Sequence, residues 1–291
     1  MQLKRKNPPT PFLLILPLLA ISLSLFVYPL IYGLYISFYK VGGYYDYGFC
    51  GLDNYIWLVN DASFWNSLRV TALFIIFSLI VEFIFGLLLA VVLDKITVGI
   101  GIFRTILVLP LATTPVVVGL MFRWMFDTST GIVNNMFLKP LGLPRINWLG
   151  DPLLALITVG IVDIWEWTPF VALILLGGIK GIPSELYEAA SVDGASGFSR
   201  FRYITWPLLT PSILVAVLFN FMRLIKTYDI VVMLTQGGPG EATWVISYYI
   251  YQTTARYMHI SLGAAANQLL LVIVMIILNL YIMLYMSKQF R

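Results

Sequence analysis

Charged residues are scarce in this 291-residue chain. Only 11% of its residues are Asp, Glu, Lys or Arg, whereas soluble domains contain about 25%. Hydrophobic residues make up 60% of the chain, and the charged residues are gathered between long apolar blocks. This composition excludes a soluble globule and a disordered chain, and it indicates an integral membrane protein.

Cysteine and histidine are almost absent. Cys50 is the single cysteine, so an intrachain disulfide and a disulfide-knit secreted fold are excluded. His259 is the single histidine, which excludes a His-based zinc cluster and argues against a Ser-His-Asp triad. The basic residues are scattered and form no stripe that could follow a phosphate backbone. We therefore expect no metal site, no catalytic site and no nucleic-acid partner.

Six apolar stretches are long enough to cross a bilayer as helices, which requires about 20 residues. The first follows Lys4, Arg5 and Lys6. It is too long for a cleaved signal peptide and lacks a small-x-small cleavage site, so we interpret it as an uncleaved first helix. The sequence predicts one transmembrane domain over residues 1–291, with spans at 12–38, 68–93, 104–126, 152–178, 207–233 and 263–287.

The basic residues predict the orientation of these spans. An even number of spans places both termini on one side, and assigning that side to the cytoplasm puts ten basic residues inside and four outside, as the positive-inside rule expects. The predicted topology is therefore N-in, C-in, with a short inner loop at 94–103 and a long one at 179–206. The inner residues are Lys4, Arg5, Lys6, Lys95, Arg104, Lys180, Arg200, Arg202, Lys288 and Arg291, and the outer ones are Lys40, Lys139, Arg145 and Arg256.

The inner loop at 179–206, here called the patterned loop, carries helix signals. Pro183 suits the first turn of a helix, and Glu185 and Glu188 favour the helix dipole near its start. Gly194 suits the left-handed residue that ends a helix. A second short helical stretch is expected from about Ser196 to Pro207. Composition alone is equally consistent with an ordinary amphipathic segment at the membrane surface.

The order of residues in the patterned loop resembles a known motif. It matches the "EAA" motif of permease subunits of binding-protein-dependent ABC importers, although Trp206 stands where the family usually has Leu. The resemblance covers the whole chain and implies an all-α, six-helix permease domain with the type I ABC importer architecture. The matching residues are Glu188-Ala189-Ala190, Asp193-Gly194-Ala195, Phe201, Ile204 and Pro207.

Two further segments resemble the sugar-uptake group of this family, the maltose and glycerol-3-phosphate type. The stretch from Leu234 to Pro239, followed by Thr243, resembles the "TxGGP" segment of the subunit equivalent to the larger maltose permease. Residues 263–266 resemble the start of that subunit's last helix, with Asn267 in place of a small hydroxyl residue. The resemblance implies a sugar or oligosaccharide as the solute, with glycerol phosphate or another polyol as an alternative.

The resemblance also implies the partners. The first helix of the loop docks on a cytoplasmic ATPase in this family. One such loop per chain implies a second, non-identical permease subunit and two ATPase copies. A solute-binding protein would contact Gly237, Gly238 and Pro239 outside a prokaryotic cytoplasmic membrane. The residues implied in ATPase coupling are Glu185, Glu188, Ala189, Ala190, Asp193, Gly194 and Ala195.

No phosphate-binding G-x-x-x-x-G-K-[ST] segment occurs in the sequence. We therefore expect that this chain is not an enzyme and binds no cofactor, and that ATP and Mg are bound by the partner ATPase.

Polar residues inside the predicted spans form two helical faces. One face carries Asp163, Glu166 and Trp167, and the other carries Asn220, Arg223 and Lys226. Two interpretations stay open, because intramembrane charges face either a polar cavity or a partner. In the first, the two faces, together with Tyr228 and Asn267, form a pore wall that binds sugar hydroxyls. In the second, the carboxylates pair with the basic residues and neutralise the buried charge.

Glu82 stands alone in the middle of the second span. A lone carboxylate there favours either a hydrogen bond to a neighbouring helix or a proton relay. The second possibility gives the alternative function, an ion-coupled secondary carrier using Glu82, Asp163 and Glu166. A membrane-embedded enzyme has no nucleophile–base pair to support it.

Overall fold

The computed structural model describes residues 10–42, 45–96 and 98–289. The chain divides into two compact units: a terminal unit, Met1–Asp61 with Ile250–Arg291, and a central unit, Ala62–Tyr249. Lys4, Arg5, Lys6, Arg291 and the side chain of Lys288 lie outside the described residues. The N-in, C-in orientation stays a prediction.

The terminal unit begins with two helices joined by a π-helical turn at Leu23–Val27. Pro29 has no N–H to donate to the carbonyl four residues earlier, and the wider π turn precedes it. A hairpin and a short helix follow, and a long helix ends the described chain. The elements are α1 (Thr10–Ser22), α2 (Tyr28–Ile36), β1 (Tyr39–Gly42), β2 (Tyr45–Phe49), α3 (Asp53–Asn60) and, at the end of the chain, α13 (Ile260–Gln289).

The last helix holds this unit together. It packs against α2, α3 and β1. Ser261 Oγ accepts a hydrogen bond from the Val41 N–H at 3.0 Å, and Gln268 Nε2 donates to the Leu30 carbonyl at 3.4 Å. The hairpin is antiparallel, with Tyr39 opposite Phe49 and an irregularity before Val41.

The central unit is built on two long helices that run parallel to each other, as the contacts Phe77–Gly160, Gly86–Val171 and Asp94–Lys180 show, with shorter helices around them. A π-helical turn at Val133–Leu138 and a 3₁₀ turn at Lys139–Leu141 lie in the loop after α6, and a π-helical turn at Phe201–Thr205 leads into α10. The helices are α4 (Ala62–Asp94), α5 (Ile100–Ala112), α6 (Pro115–Met125), α7 (Pro152–Lys180), α8 (Ser184–Val192), α9 (Gly197–Arg200), α10 (Trp206–Leu224), α11 (Asp229–Leu234) and α12 (Ile246–Tyr251, which ends in the terminal unit).

Glycines let α4 and α7 approach closely. A Cβ added at Gly86 would lie 2.7 Å from the Val171 side chain, and one added at Gly160 would lie 2.6 Å from the Phe77 ring. Small residues at such crossings allow helix backbones to pack tightly in membranes. Helix α10 packs on the same pair through a cluster that includes Ala90, Leu175, Leu209 and Ala216.

Among the described residues, five helical stretches are long and apolar enough to cross a membrane, and the pair α5–α6 makes six if it counts as one span. The sequence predicted one continuous helix over 104–126, but α5 and α6 meet at 90°. Pro115 explains the break, because proline disfavours helical geometry in the residue before it. Thr113 and Thr114 are indeed extended.

The fifth predicted span also differs from the structure. The helical stretch runs from Gly197 to Leu224, whereas the sequence predicted 207–233. Residues 229–234 form the separate helix α11. Their hydrophobicity continues that of α10, so the apolar pattern concealed the interruption.

Candidate functional site

Arg223 on α10 lies between carboxylates from two other helices. Its Nη1 and Nη2 donate to Asp163 Oδ1 and Oδ2 on α7, both at 2.8 Å. Nη2 also lies 3.1 Å from Glu82 Oε1 on α4. The Glu82 and Asp163 side chains are 0% exposed and that of Arg223 is 17% exposed. A bidentate Arg–carboxylate contact of this kind fixes the relative orientation of the two side chains and also pairs their charges.

Two further side chains complete this arrangement, here called the ion network. Asn220 Oδ1 accepts a hydrogen bond from Arg223 Nε at 3.0 Å, and Asn220 Nδ2 donates to Glu82 Oε2. The guanidinium carbon lies 4.4 Å from the centre of the Trp167 ring, within the range of a cation–π interaction. The network therefore connects α4, α7 and α10.

The ion-pair interpretation of the intramembrane charges is confirmed for Asp163 with Arg223. Glu82 is not alone, because it contacts both Asn220 and Arg223. No local pattern indicates this contact, since Glu82 and Arg223 are 141 residues apart along the chain.

Glu166, one turn along α7 from Asp163, is only 1% exposed. Its Oε2 has no hydrogen-bond partner among the described residues. The network and Glu166 together contain three carboxyl groups and one guanidinium group. Glu166 therefore has an acceptor atom that the folded chain does not use.

The other predicted pathway residues lie outside the ion network. Lys226 is exposed just after α10, and Tyr228 is half-buried with its ring 6.3 Å from that of Tyr248. Asn267 is exposed on α13, in the terminal unit.

The patterned loop contains the expected short helix, α8. Pro183 is the residue immediately before this helix and does not lie in its first turn. Gly194 has φ of +74°, as predicted for the residue that ends the helix. Ala195 N–H donates to the Ala190 carbonyl at 2.9 Å, and Gly194 N–H donates to Ser191 at 3.1 Å. This pair of bonds is the Schellman motif, which stops the helix by satisfying its last carbonyls.

After α8 the chain turns directly into the next membrane helix. Ser196 Oγ accepts from the Ser199 N–H at 3.2 Å and caps α9. From Gly197 the chain stays helical to Leu224. A π-helical turn at Phe201–Thr205 lies within this stretch and precedes Pro207. The last part of the patterned loop, from Gly197 onward, thus belongs to the same helical stretch that carries Arg223.

Two side-chain contacts hold α8 against this stretch. The hydroxyls of Tyr187 and Thr205 lie 2.9 Å apart, and Arg200 Nη1 donates to Ser191 Oγ at 2.9 Å. Sequence reasoning missed these four residues, because they occupy positions that the quoted motif leaves open.

The predicted coupling residues form an accessible surface. Glu185, Glu188, Ala189, Asp193 and Gly194 are exposed, while Ala190 and Ala195 are partly buried. Large apolar side chains stand beside them, with Val192 88% and Phe198 77% exposed. A patch of apolar groups rimmed by charge is typical of an interaction site.

The predicted binding-protein contact forms a compact turn. Gly237 is buried with φ of +82°, and the Gly238–Pro239 peptide is cis. The Thr235 and Thr243 hydroxyls lie 2.8 Å apart, and Thr243 Oγ1 donates to the Gly238 carbonyl at 3.0 Å. Of the three predicted residues, Gly238 and Pro239 are partly accessible and Gly237 is not.

In the part of the chain that the structure describes, no three His, Cys, Asp or Glu side chains are placed to hold a metal ion.

Helical stretches long enough to span a membrane, joined to a short capped helix, agree with the permease component of an ABC importer. Residues 82–289 match the family described as "Binding-protein-dependent transport system inner membrane component", and the chain belongs to this family. It is therefore a membrane-spanning component of a transport system.

The named relatives extend over nearly the full length of the chain. The chain is 36% identical to the trehalose/maltose transport system permease protein MalF of Thermococcus litoralis, over 94% of this chain and 92% of that protein. It is 31% identical to the sn-glycerol-3-phosphate transport system permease protein UgpA of Agrobacterium fabrum, over 93% and 92%.

Solved structures show the same architecture. One is a bacterial ABC transporter involved in the import of the acidic polysaccharide alginate, with a TM-score of 0.84 and 25% identity over 96% of this chain and 95% of that chain. A second structure shows an alginate ABC transporter in complex with an alginate pentasaccharide-bound periplasmic protein, with a TM-score of 0.81 and 25% identity over 94% and 93% of the two chains.

Proposed function

We propose that this chain forms half of the pathway through which an ATP-driven importer admits a sugar or oligosaccharide. A solute-binding protein delivers the solute at the outer face of a prokaryotic cytoplasmic membrane. The observation that carries the proposal is the patterned loop, a short capped helix held against the start of a membrane helix. Relatives named for trehalose/maltose and lactose transport support the solute class.

The patterned loop is proposed to couple the permease to an ATPase. Its exposed surface offers two carboxylates, Glu185 and Glu188, and small residues at 189, 190 and 194–195 that let another backbone approach. Asp193 adds a third negative charge. Because α8 contacts the stretch 197–224 through Tyr187 and Arg200, displacement of α8 is transmitted to α10 instead of being absorbed.

This mechanism requires partners. One patterned loop per chain calls for a second, non-identical permease and two copies of the ATPase. ATP and Mg bind to the ATPase, and this chain supplies no cofactor site.

The solute pathway is proposed to use the polar faces of α7 and α10. Asp163, Asn220 and Arg223 shape the wall through the ion network. Glu166 Oε2, which is buried without a hydrogen-bond partner, would accept a hydrogen bond from a solute hydroxyl when the pathway opens beside it. The ring of Trp167 can stack on a sugar, although its other role is to hold the guanidinium of Arg223.

Further contacts are proposed at Lys226, Tyr228 and Asn267, with Gly237, Gly238 and Pro239 facing the solute-binding protein. Lys226 would favour an anionic solute such as a glycerol phosphate over a neutral sugar. Direct binding of candidate solutes to the cognate solute-binding protein distinguishes the two.

An ion-coupled carrier is not proposed. Its motivating residue, Glu82, already contacts Arg223 and Asn220, and the family to which the chain belongs depends on a binding protein.

Two glycines give a matched test of coupling. Gly194 and Gly142 both have positive φ, +74° and +69°, and a Cβ at either would meet nothing within 4 Å. Gly194 ends α8, and Gly142 ends a turn in the predicted outer loop 127–151. Gly194→Ala should abolish most solute-stimulated ATPase activity of the reconstituted transporter, and Gly142→Ala should preserve it. Equal effects of the two changes would contradict the proposal.

A further inference from the structure

A cavity of about 430 Å³ lies where α4 and α7 end beside the patterned loop. Its basic side chains are Lys95, just after α4, and Arg200, at the end of α9. Its apolar walls come from Val91, Ile179 and Phe201. The coupling mechanism described above leaves this cavity without a role.

The charge in the cavity is positive. The carboxylate that lines it, Asp94, is already paired with Lys180 at 3.3 Å. Within the described residues, Lys95 and Arg200 have no acidic partner within 4 Å. Arg200 uses one Nη1 donor on Ser191, which leaves its Nη2 group unused.

Tyr187 and Thr205 also line the cavity. Their hydroxyls bond to each other at 2.9 Å. Each hydroxyl oxygen has donor or acceptor capacity beyond that single bond. The residues around the cavity therefore include an arginine, a lysine and two hydroxyl-bearing side chains beside apolar ones.

The position of the cavity indicates what it binds. The proposed function places the patterned loop, and with it the cavity, at the cytoplasmic surface, where the leaflet contains anionic lipids. Basic pockets between membrane helices on that side bind anionic head groups, and guanidinium groups favour phosphate. We propose that this cavity binds a phosphate group, carried by an anionic phospholipid or by a free phosphate anion.

A bound phosphate would have a mechanical effect. Lys95 follows the end of α4 and Arg200 belongs to the patterned loop, so a phosphate held by both side chains would link the two elements. It would stiffen the attachment of the patterned loop to the helix pair α4–α7, and the degree of ATPase coupling would then depend on the lipid.

The test compares two charge-matched double variants of the assembled transporter. K95Q/R200Q removes the two cations of the cavity. R104Q/R202Q removes two exposed arginines that do not line it. Native mass spectrometry of transporters from nanodiscs with phosphatidylcholine, with or without phosphatidylglycerol, measures retained lipid in the absence of ATP and solute.

The unmodified transporter and R104Q/R202Q should retain phosphatidylglycerol, and K95Q/R200Q should retain roughly tenfold less. S191A removes the Arg200–Ser191 bond while keeping both cations, so it should retain the lipid. A thermal shift with inorganic phosphate, against chloride at equal ionic strength, tests the free anion. Protection by phosphate without lipid retention assigns the site to the free anion.

Equal retention of phosphatidylglycerol by both double variants, with no protection by inorganic phosphate, would overturn the proposal. Because binding is measured without transport, this result would leave the permease function intact. A transporter that retains the lipid but imports no sugar would instead contradict the proposed function.

Discussion

The ion network and the patterned loop hold the two ends of one helical stretch by opposite means. At the α10 end, Arg223 is fixed by buried charges on two neighbouring helices. At the other end, the patterned loop is exposed and is ordered by backbone caps and two hydroxyl-centred contacts. Charge therefore serves packing in the first region and remains accessible at the surface in the second.

This difference predicts different consequences of mutation. Removing one member of a buried ion pair leaves an uncompensated charge and costs about 3–5 kcal/mol. Removing an exposed charge costs little stability. Changes in the ion network should therefore reduce folding, and changes in the patterned loop should reduce coupling.

The largest effect is expected from Arg223→Met. Glu82 and Asp163 would then face each other without a cation, and the free energy of unfolding should fall by about 3–5 kcal/mol. Thermal melting of the detergent-solubilised complex measures this. Arg123→Met is the control, since Arg123 is exposed and makes one long bond, 3.5 Å, to the Met233 carbonyl. Equal melting temperatures of the Arg223→Met and Arg123→Met complexes would contradict the packing role of the network.

The next effect is expected from Glu188→Ala. Loss of this exposed carboxylate should reduce solute-stimulated ATPase activity by roughly tenfold while the melting temperature changes little. A matching loss of thermal stability would remove the distinction between the two regions.

Tyr187→Phe should have a smaller effect. It deletes one hydroxyl that contacts Thr205 and leaves the ring, so ATPase docking should persist while transport per ATP hydrolysed falls a few-fold. Tyr203→Phe is the matched control, because Tyr203 is 78% exposed. A drop in docking itself would show that Tyr187 belongs to the interface instead of holding α8.

The smallest effect concerns the exposed loop after α6. Asp127 Oδ1 accepts from the backbone N–H groups of Ser129 and Thr130 at 2.9 and 2.7 Å and from both hydroxyls. These bonds, led by the one from the Thr130 N–H, hold the pKa of Asp127 well below its usual range. A depressed pKa means that the bonds stabilise the turn above the ordinary pKa of aspartate and lose this effect only as pH falls through the lowered value.

Hydrogen exchange at residues 127–131 should therefore stay slow at pH 4 and increase only in stronger acid. Asp127→Asn should show no such acid dependence. Opening of the unmodified turn already at pH 4 would contradict the assignment.

Local features of this fold could be predicted from sequence, and distant ones could not. The end of α8 at Gly194 depends on one residue's backbone freedom, so the glycine sufficed to place it. The apolar stretches likewise marked the membrane helices. The break at Thr113 and Thr114 was missed because it lies within a continuous apolar run.

The ion network shows the limit most clearly. The face shared by Asp163 and Glu166 follows from helical periodicity, and pairing with Arg223 was one of two open interpretations. The position of Glu82 depends on how α4 packs against α7, through Gly86 and Gly160, which no local pattern determines. Tyr187 and Arg200 depend similarly on how α8 folds back on the next helix.

The uninterrupted stretch from Gly197 to Leu224 has a geometric consequence. Its 28 residues span about 42 Å at a rise of about 1.5 Å each, so a tilt of about 5° at one end displaces the other by roughly 4 Å. That amplitude exceeds the 2.8 Å separations between Arg223 and Asp163. A tilt of this size about the Gly197 end is therefore sufficient to separate the Arg223 guanidinium from the Asp163 carboxylate.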